Sequence, residues 1–301
     1  MESDFGREKE MKILAGVAVL VLLVAVWFGI PYSPFKRQFL RDAAARAQAA
    51  QLRTNGGLYA KEDFERLPPL LQKYMEACGY IGRERKSVLA MEYRDIAFSL
   101  GRNRPNLQID YTQMDFADTP SRLAFIDARM FGVPFQGYDY YTGGKGGMKG
   151  VLAKLLTLFD QTGSEMDKAC LVTYLAESIF LPEALLQDCV SFTQIDGYTV
   201  EARIENEGVR AAGRFHFNDG GEMVCFSTDE RGQASSDGTV EYIPWEARCE
   251  GYAVYSDGIK RPTIFRAVWK YPDADFVYFD GTITSVDGAE AGTAGQPAAA
   301  D

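Results

Sequence analysis

The stretch SEMDKACLVTYLAESIFLPEALL, Ser164 to Leu186, decides how the rest of the chain is read. Downstream of it nearly every segment carries strand periodicity, yet this one repeats at helical spacing. Leu171, Val172, Leu175, Ala176 and Ile179 form one apolar stripe, with Asp167, Tyr174, Glu177 and Ser178 opposite. Ser164 and Asp167 fit a capping box, and Pro182 stops the helix and starts a short second one, PEALL. A helix between two groups of strands serves most simply as a cover for the apolar face of a curved sheet.

The flanking sequence supplies that sheet. Leu89, Met91 and Tyr93 share one phase of a period-two pattern, and Ile96, Phe98 and Leu100 share the other. The change of phase at Arg94-Asp95 predicts a bulge. Leu107–Phe116 and Leu123–Phe131 are also strand-like, punctuated by Pro105 and Pro120. Tyr198, Val200, Ala202 and Ile204 alternate with polar residues, and Asn206-Glu207-Gly208 turns the chain into Val209, Ala211, Gly213, Phe215 and Phe217, a hairpin with one apolar face. Further strands are expected at Met223–Thr228, Val240–Trp245, Ile264–Tyr271 and Asp275–Ile283. The predicted fold is mainly β (α+β): a large curved antiparallel sheet, a half-barrel, with the helix across its concave face.

Ahead of this domain, ILAGVAVLVLLVAVWFGI (Ile13–Ile30) carries no charge. As a helix it spans roughly 27 Å at 1.5 Å per residue, close to the hydrocarbon thickness of a bilayer. Trp27 and Tyr32 sit where interfacial aromatics belong. The organisation expected is a lead (1–12), a single transmembrane anchor (13–30), a solvated juxtamembrane helix or stalk (31–60) ended by Thr54-Asn55-Gly56-Gly57, the half-barrel (61–284) and a disordered tail (285–301). A cleaved signal peptide is the other reading of the apolar run. Arg7, Lys9 and Lys12 before the run against Lys36, Arg37, Arg41 and Arg46 after it put the domain in the cytoplasm by the positive-inside rule. A start at Met11, by contrast, leaves a short lead resembling an export signal and favours a domain outside the cytoplasm.

Composition excludes several functions. With 32 basic and 42 acidic residues the net charge is −10, which argues against a nucleic-acid backbone as partner. The five cysteines, Cys78, Cys170, Cys189, Cys225 and Cys249, show no CxxC spacing. Cys225 and Cys249 lie in strand-like runs that could meet across a sheet. The glycines of FQGYDYYTGGKGGMKG (Phe135–Gly150) fit no phosphate loop, and Gly144-Lys145-Gly146-Gly147 reads as a turn. His216 lies on the polar face of its hairpin and is expected to be solvated. No cofactor or metal is expected. An enzyme would have to use Asp139 or Glu177, acids embedded among aromatic or apolar neighbours that could be desolvated.

Several segments together resemble an uncharacterised bacterial family, domain of unknown function 6544. They are Leu67-Pro68 with the helix that follows, RLAFIDARMFGVPFQGYDYYTGGKGGMKGVLAKLL (Arg122–Leu156), GSEMDKACLVTYLAESIFLPEALL (Gly163–Leu186) and DGIKRPTIFRAVWKYPDADFVYF (Asp257–Phe279). Two positions depart from the family pattern: Phe192 stands where a tryptophan is usual, and TPSRLAFIDA has Phe125 at the aromatic position of a different run. The strand order is similar to the half-barrels of LolA- and LppX-like lipoprotein carriers. That resemblance implies an extracytoplasmic domain holding an acyl chain between sheet and helix. A lipid or other apolar ligand would then be walled by Phe125, Phe131, Leu171, Leu175, Ile179, Trp245 and Trp269. A structural or interaction module with a solid core would show the same periodicities.

Overall fold

Turn chemistry and phase set the sheet. The computed structural model describes residues 2–52, 56–234 and 239–292. Its helices are α1 (Glu2–Gly29), α2 (Pro34–Gln51), α3 (Pro69–Ala77), α4 (Ser164–Glu177) and α5 (Pro182–Leu185). The first six strands form a meander: β1 (Val88–Ser99), β2 (Asn106–Phe116), β3 (Ser121–Met130), β4 (Val133–Thr142), β5 (Lys145–Leu152) and β6 (Leu156–Thr162). After α4 and α5 come β7 (Val190–Gln194), β8 (Thr199–Asn206), β9 (Val209–Phe217), β10 (Met223–Thr228), β11 (Gly232–Ala234), β12 (Val240–Tyr242), β13 (Trp245–Glu250), β14 (Ala253–Val254), β15 (Lys260–Arg261), β16 (Ile264–Lys270) and β17 (Asp275–Val286). Thirteen of these strands make one antiparallel sheet in the order β6-β5-β4-β3-β2-β1-β17-β16-β13-β10-β9-β8-β7.

Two-residue turns with both residues at positive φ match the twist of their flanking strands. Glu207 (φ 49°) and Gly208 (φ 78°) join β8 to β9, and Gly143 (φ 56°) and Gly144 (φ 72°) join β4 to β5. The expected turn at Gly144-Lys145-Gly146-Gly147 therefore begins one residue earlier, and Lys145 onward is strand. In β1 the predicted bulge is present. Asp95 takes φ 52° and the register with both neighbours slips there. Leu89, Met91, Tyr93, Ile96 and Phe98 all reach the core as a result.

The curvature follows from one contact pattern. β5 and β9 stand nine steps apart in the strand order, yet both pack on α4. In a flat sheet with strands about 4.8 Å apart, those strands would lie roughly 43 Å from each other, several helix diameters. The sheet must curl around the helix. Its two arms even touch: the Tyr141 hydroxyl donates to Asn206 Oδ1 at 3.0 Å.

From Asp167 onward α4 is buried on its apolar stripe and on most of the opposite side, which corrects its expected amphipathic character. Leu171, Val172, Leu175 and Ile179 are inaccessible, but so are Asp167, Tyr174, Glu177 and Ser178. The expected capping box is also replaced. Gly163 is the N-cap, and Asp167 instead accepts from the Gly146 amide (2.8 Å) and from Lys145 Nζ (2.9 Å) on β5. The glycine of β5 lets the helix come this close. A Cβ on Gly146 would lie 2.7 Å from Cys170 Cβ and 2.8 Å from the Met166 carbonyl oxygen.

The juxtamembrane helix is not a solvated stalk. Phe39, Ala43 and Ala50 of α2 are buried against Phe116, Leu123, Phe125 and Tyr138 on the convex face, forming a second core. Phe39 stacks on Phe125 with ring centroids 5.9 Å apart, and Arg46 pairs with Asp118 at 2.7 Å. Burying Phe39 contributes about 1.5–3 kcal/mol before entropy costs. No residue in the most apolar window of α1 is buried among the described residues, and the helix is long and apolar enough to cross a membrane. Its end is fixed to the turn between β5 and β6. Trp27 Nε1 donates to the Ala153 carbonyl (3.0 Å), and Lys154 Nζ donates to the carbonyls of Trp27 (2.8 Å) and Ile30 (2.7 Å).

Two further expectations change. Cys225 pairs with Arg248 across the β10–β13 ladder, so Cys249 points to the opposite face; all five thiols are free. Ser285 and Val286 belong to β17, and Val286 and Tyr255 bridge to Ala289 and Ala291. Of the tail expected to be disordered, residues 293–301 lie outside the described residues, as do Thr54 and Asn55 of the expected stalk end.

Gly146→Ala is expected to lower stability by about 1–3 kcal/mol, because neither the Cys170 Cβ nor the helix backbone can retreat. Thermal unfolding of the detergent-solubilised chain, followed by circular dichroism, measures it. An unchanged midpoint would mean that α4 is loosely seated.

Candidate functional site: a buried charge cluster beneath the helix

Alternation along β3 sends Arg122, Ala124 and Ile126 to the concave face and Leu123 and Phe125 to the convex one. Arg122 is thereby committed to the core, with its side chain 4% exposed. A guanidinium in that position is tolerated only when its charge and donors are matched. Nε donates to Glu177 Oε2 at 2.5 Å, Nη1 to Asp139 Oδ2 at 2.6 Å, and Nη2 to the Tyr111 hydroxyl. Glu177 is the last residue of α4, Asp139 lies on the neighbouring strand β4, and Tyr111 lies on β2. The cluster therefore ties the C-terminus of α4 to three consecutive strands.

It continues along β2. Gln113 Nε2 donates to Asp115 Oδ2 at 2.7 Å, while Asp115 Oδ1 is buried without a hydrogen-bond partner. Cys170 Sγ lies 3.8 Å from Asp139 Oδ1. Burial pushes the Asp115 carboxyl well above its ordinary value, reinforced by the charge of Glu177. Burial also raises Glu177, against the opposing pull of Arg122. Arg122 itself stays charged: burial opposes the charge, but Glu177 foremost and Asp139 outweigh it. The Cys170 thiol is pushed up by burial and stays protonated. These groups clamp the helix, burial favours the neutral form of Asp115, and no activated nucleophile stands among them.

The two acids singled out from sequence are thus brought together on one arginine. Arg122 and Asp115 were missed. The only sequence signal for them was a charged residue standing in the apolar phase of its strand. Among the proposed wall residues, Leu171, Leu175, Ile179, Trp245 and Trp269 lie in the main core. Trp245 and Trp269 face each other in register, and Arg231 is near both rings, 5.0 and 5.1 Å from their centroids. Phe125 lies on the convex face under α2, because it is out of phase with Arg122. Phe131 is at the tip of the β3–β4 hairpin with φ 52° and is 93% exposed. Neither of these two joins the interior set. His216 is half-buried rather than solvated; its Nε2 is 2.7 Å from Ser227 Oγ, and burial lowers its pKa.

Three surface grooves have volumes of about 220, 180 and 480 Å³, and none is lined by Leu171, Leu175 or Ile179. The 480 Å³ groove lies between the end of α1 and the convex face. Phe28, Ile30 and Pro31 line one side, and Asp95, Asp110, Asp127, Arg129, Gln136 and Lys154 the other. Asp110 and Asp127 stand directly opposite in the β2–β3 ladder, a like-charge pairing that costs stability. Arg94 relieves Asp110 at 3.1 Å. Among the described residues no group of three or more His, Cys, Asp or Glu side chains is arranged to hold a metal ion.

An open antiparallel half-barrel filled by its own helix, with an apolar N-terminal helix fixed to its rim, defines the class of protein. The chain belongs to the DUF6544 family of unknown function, whose model matches residues 57–281. No curated protein sequence matches it. Among solved structures it is similar to a DUF1329 family protein from Desulfovibrio piger, at 11% identity and a TM-score of 0.38, over 76% of this chain and 93% of that one.

Arg122→Ala is expected to cost about 3–5 kcal/mol, since it strands buried carboxylates, whereas Arg122→Met paired with Glu177→Leu costs less. Denaturation midpoints of the three proteins test the order. A second expectation concerns pH. The folded-state pKa of Asp115 is raised, so its contribution is full below the unfolded value of about 4 and is lost as pH rises through the folded value. Asp115→Asn removes that loss while keeping the acceptor for Gln113. Its melting temperature should exceed wild type at pH 8 and converge with it near pH 4; a constant difference across that range would contradict a raised pKa.

Proposed function

We propose that this protein is a single-pass, membrane-anchored lipid-handling module whose half-barrel lies outside the cytoplasm. The observation that carries the reading is the 480 Å³ groove where α1 meets the sheet. One side continues the apolar surface of the membrane helix, and the other offers carboxylates and cations together. Such a groove suits an amphiphile whose tail stays in the bilayer and whose head bears both signs of charge, an ammonium toward Asp127 and a phosphate toward Arg129. Ligand pockets of 300–1,000 Å³ are ordinary for molecules of this size. The interior of the half-barrel, by contrast, is occupied by α4, and an acyl chain could enter only by displacing it.

Native mass spectrometry of the full-length chain in mild detergent tests this. Co-purified zwitterionic phospholipid is expected on the wild type, and Asp127→Ala with Arg129→Ala should weaken its retention about tenfold, from the loss of charge-assisted hydrogen bonds. No bound lipid, or equal retention by the variant, would remove the lipid reading. A second reading is favoured by the filled interior: a membrane-tethered interaction module with a solid core. Cross-linking that captures a partner protein on the sheet, with no lipid found, would support it.

A further inference from the structure

A different feature says how the domain sits. In a meander, alternate turns lie at the same end of the sheet. The β1–β2 turn (100–105), the β3–β4 turn (131–132) and the β5–β6 turn (153–155) share one end. This rim carries Leu100, Phe131, Leu155 and Leu156, exposed by 42, 93, 75 and 59%. Single exposed apolar residues are ordinary, but large side chains gathered on successive turn tips are not. At the other end of these same strands the turns Asp118-Thr119-Pro120 and Gly143-Gly144 carry no large apolar side chain, and Glu207 lies against Gly144 there.

The rim is also where α1 ends. Trp27 and Ile30, the last part of the apolar run, are hydrogen-bonded to Ala153 and Lys154 in the β5–β6 turn itself. Only residues 30–33 separate α1 from α2, and α2 is packed along the sheet. No slack linker lets the domain move away from the helix. If α1 crosses a bilayer, Trp27 lies at its interface and the tips of the rim lie at the same level. Arg104 and Arg129, on or beside these turns, are exposed and fit the headgroup layer, while Arg102 is paired with Asp273.

We infer that the rim of the half-barrel is a second membrane contact: Phe131, Leu155 and Leu156 insert into the lipid interface beside α1 and hold the strands upright on the bilayer. The partner is the lipid surface itself. With a net charge of −10 on the chain, attachment comes from apolar insertion rather than from attraction to anionic lipid. This inference rests on α1 being an anchor, but not on the groove binding a headgroup.

The test uses the full-length chain in phosphatidylcholine–phosphatidylglycerol vesicles, with a benzophenone amino acid in place of Phe131, Leu155 or, as control, Glu207 at the far end. Irradiation should give phospholipid adducts at 131 and 155 and none at 207. Phe131→Asp with Leu155→Asp should abolish the adduct from a probe at 156 while leaving the melting temperature in detergent unchanged, because both side chains are exposed. Resistance to alkaline carbonate extraction reports α1 separately. Extraction-resistant protein without adducts at 131 and 155, or with equal adducts at 207, overturns the rim contact alone. Extractable protein removes the anchor and the rim contact together. Lipid retention by the Asp127 and Arg129 variants is unaffected by either result.

Discussion

A thirteen-stranded antiparallel sheet has one apolar face too large to leave in water, and α4 is what that face closes on. The helix is one cylinder that both arms of the sheet must reach, so its position sets the curvature. Everything placed on the sheet follows from that closure: the strand-to-strand contact of the two arms at Tyr141 and Asn206, the enclosure of Trp245 and Trp269, and the orientation of the rim. Close approach is permitted on one side by Gly146 and locked on the other by Arg122 with Glu177. The first is a steric condition and the second an electrostatic one, and they act at opposite ends of the helix.

The Arg122 cluster is an expensive way to hold a helix. Desolvating a guanidinium and several carboxyls costs several kcal/mol per ion before their mutual attraction is counted. Apolar side chains would fill the same space at lower cost. What the charges add is registry. Arg122 spans Glu177, Asp139 and Tyr111 from α4, β4 and β2, and only one seating of the helix satisfies all three. Asp115 beside them, raised by burial, adds a proton that the folded state binds more tightly than the unfolded chain.

The second core, on the convex face, fixes α2 to the sheet. A helix whose Phe39, Ala43 and Ala50 are buried cannot serve as a flexible spacer. Lys154 closes the end of α1 by donating to its last carbonyls, where a cation is favoured by the helix dipole. The end of α1, α2 and the sheet are therefore joined by direct contacts, and these set how the half-barrel sits relative to α1.

Period-two alternation, the phase change at Arg94-Asp95, the Glu207-Gly208 turn and the uncharged run from Ile13 to Ile30 were sufficient to derive the antiparallel sheet, its bulge, its best-defined hairpin and an apolar helix long enough to span a bilayer. These are local properties, fixed by backbone geometry and by the hydropathy of neighbours along the chain. The site was only half legible. Asp139 and Glu177 stood out as acids in apolar surroundings, but their joint partner Arg122 lies 17 and 55 residues away, a distance no local pattern reports. The same blindness set Asp167, Tyr174 and Ser178 apart from the apolar stripe although they are buried with it, and read Phe125 as an interior wall and α2 as a stalk. Whether a polar or apolar face meets water depends on what the rest of the chain brings against it. That was decided only when the two arms of the sheet closed on α4 and α2 settled on their back.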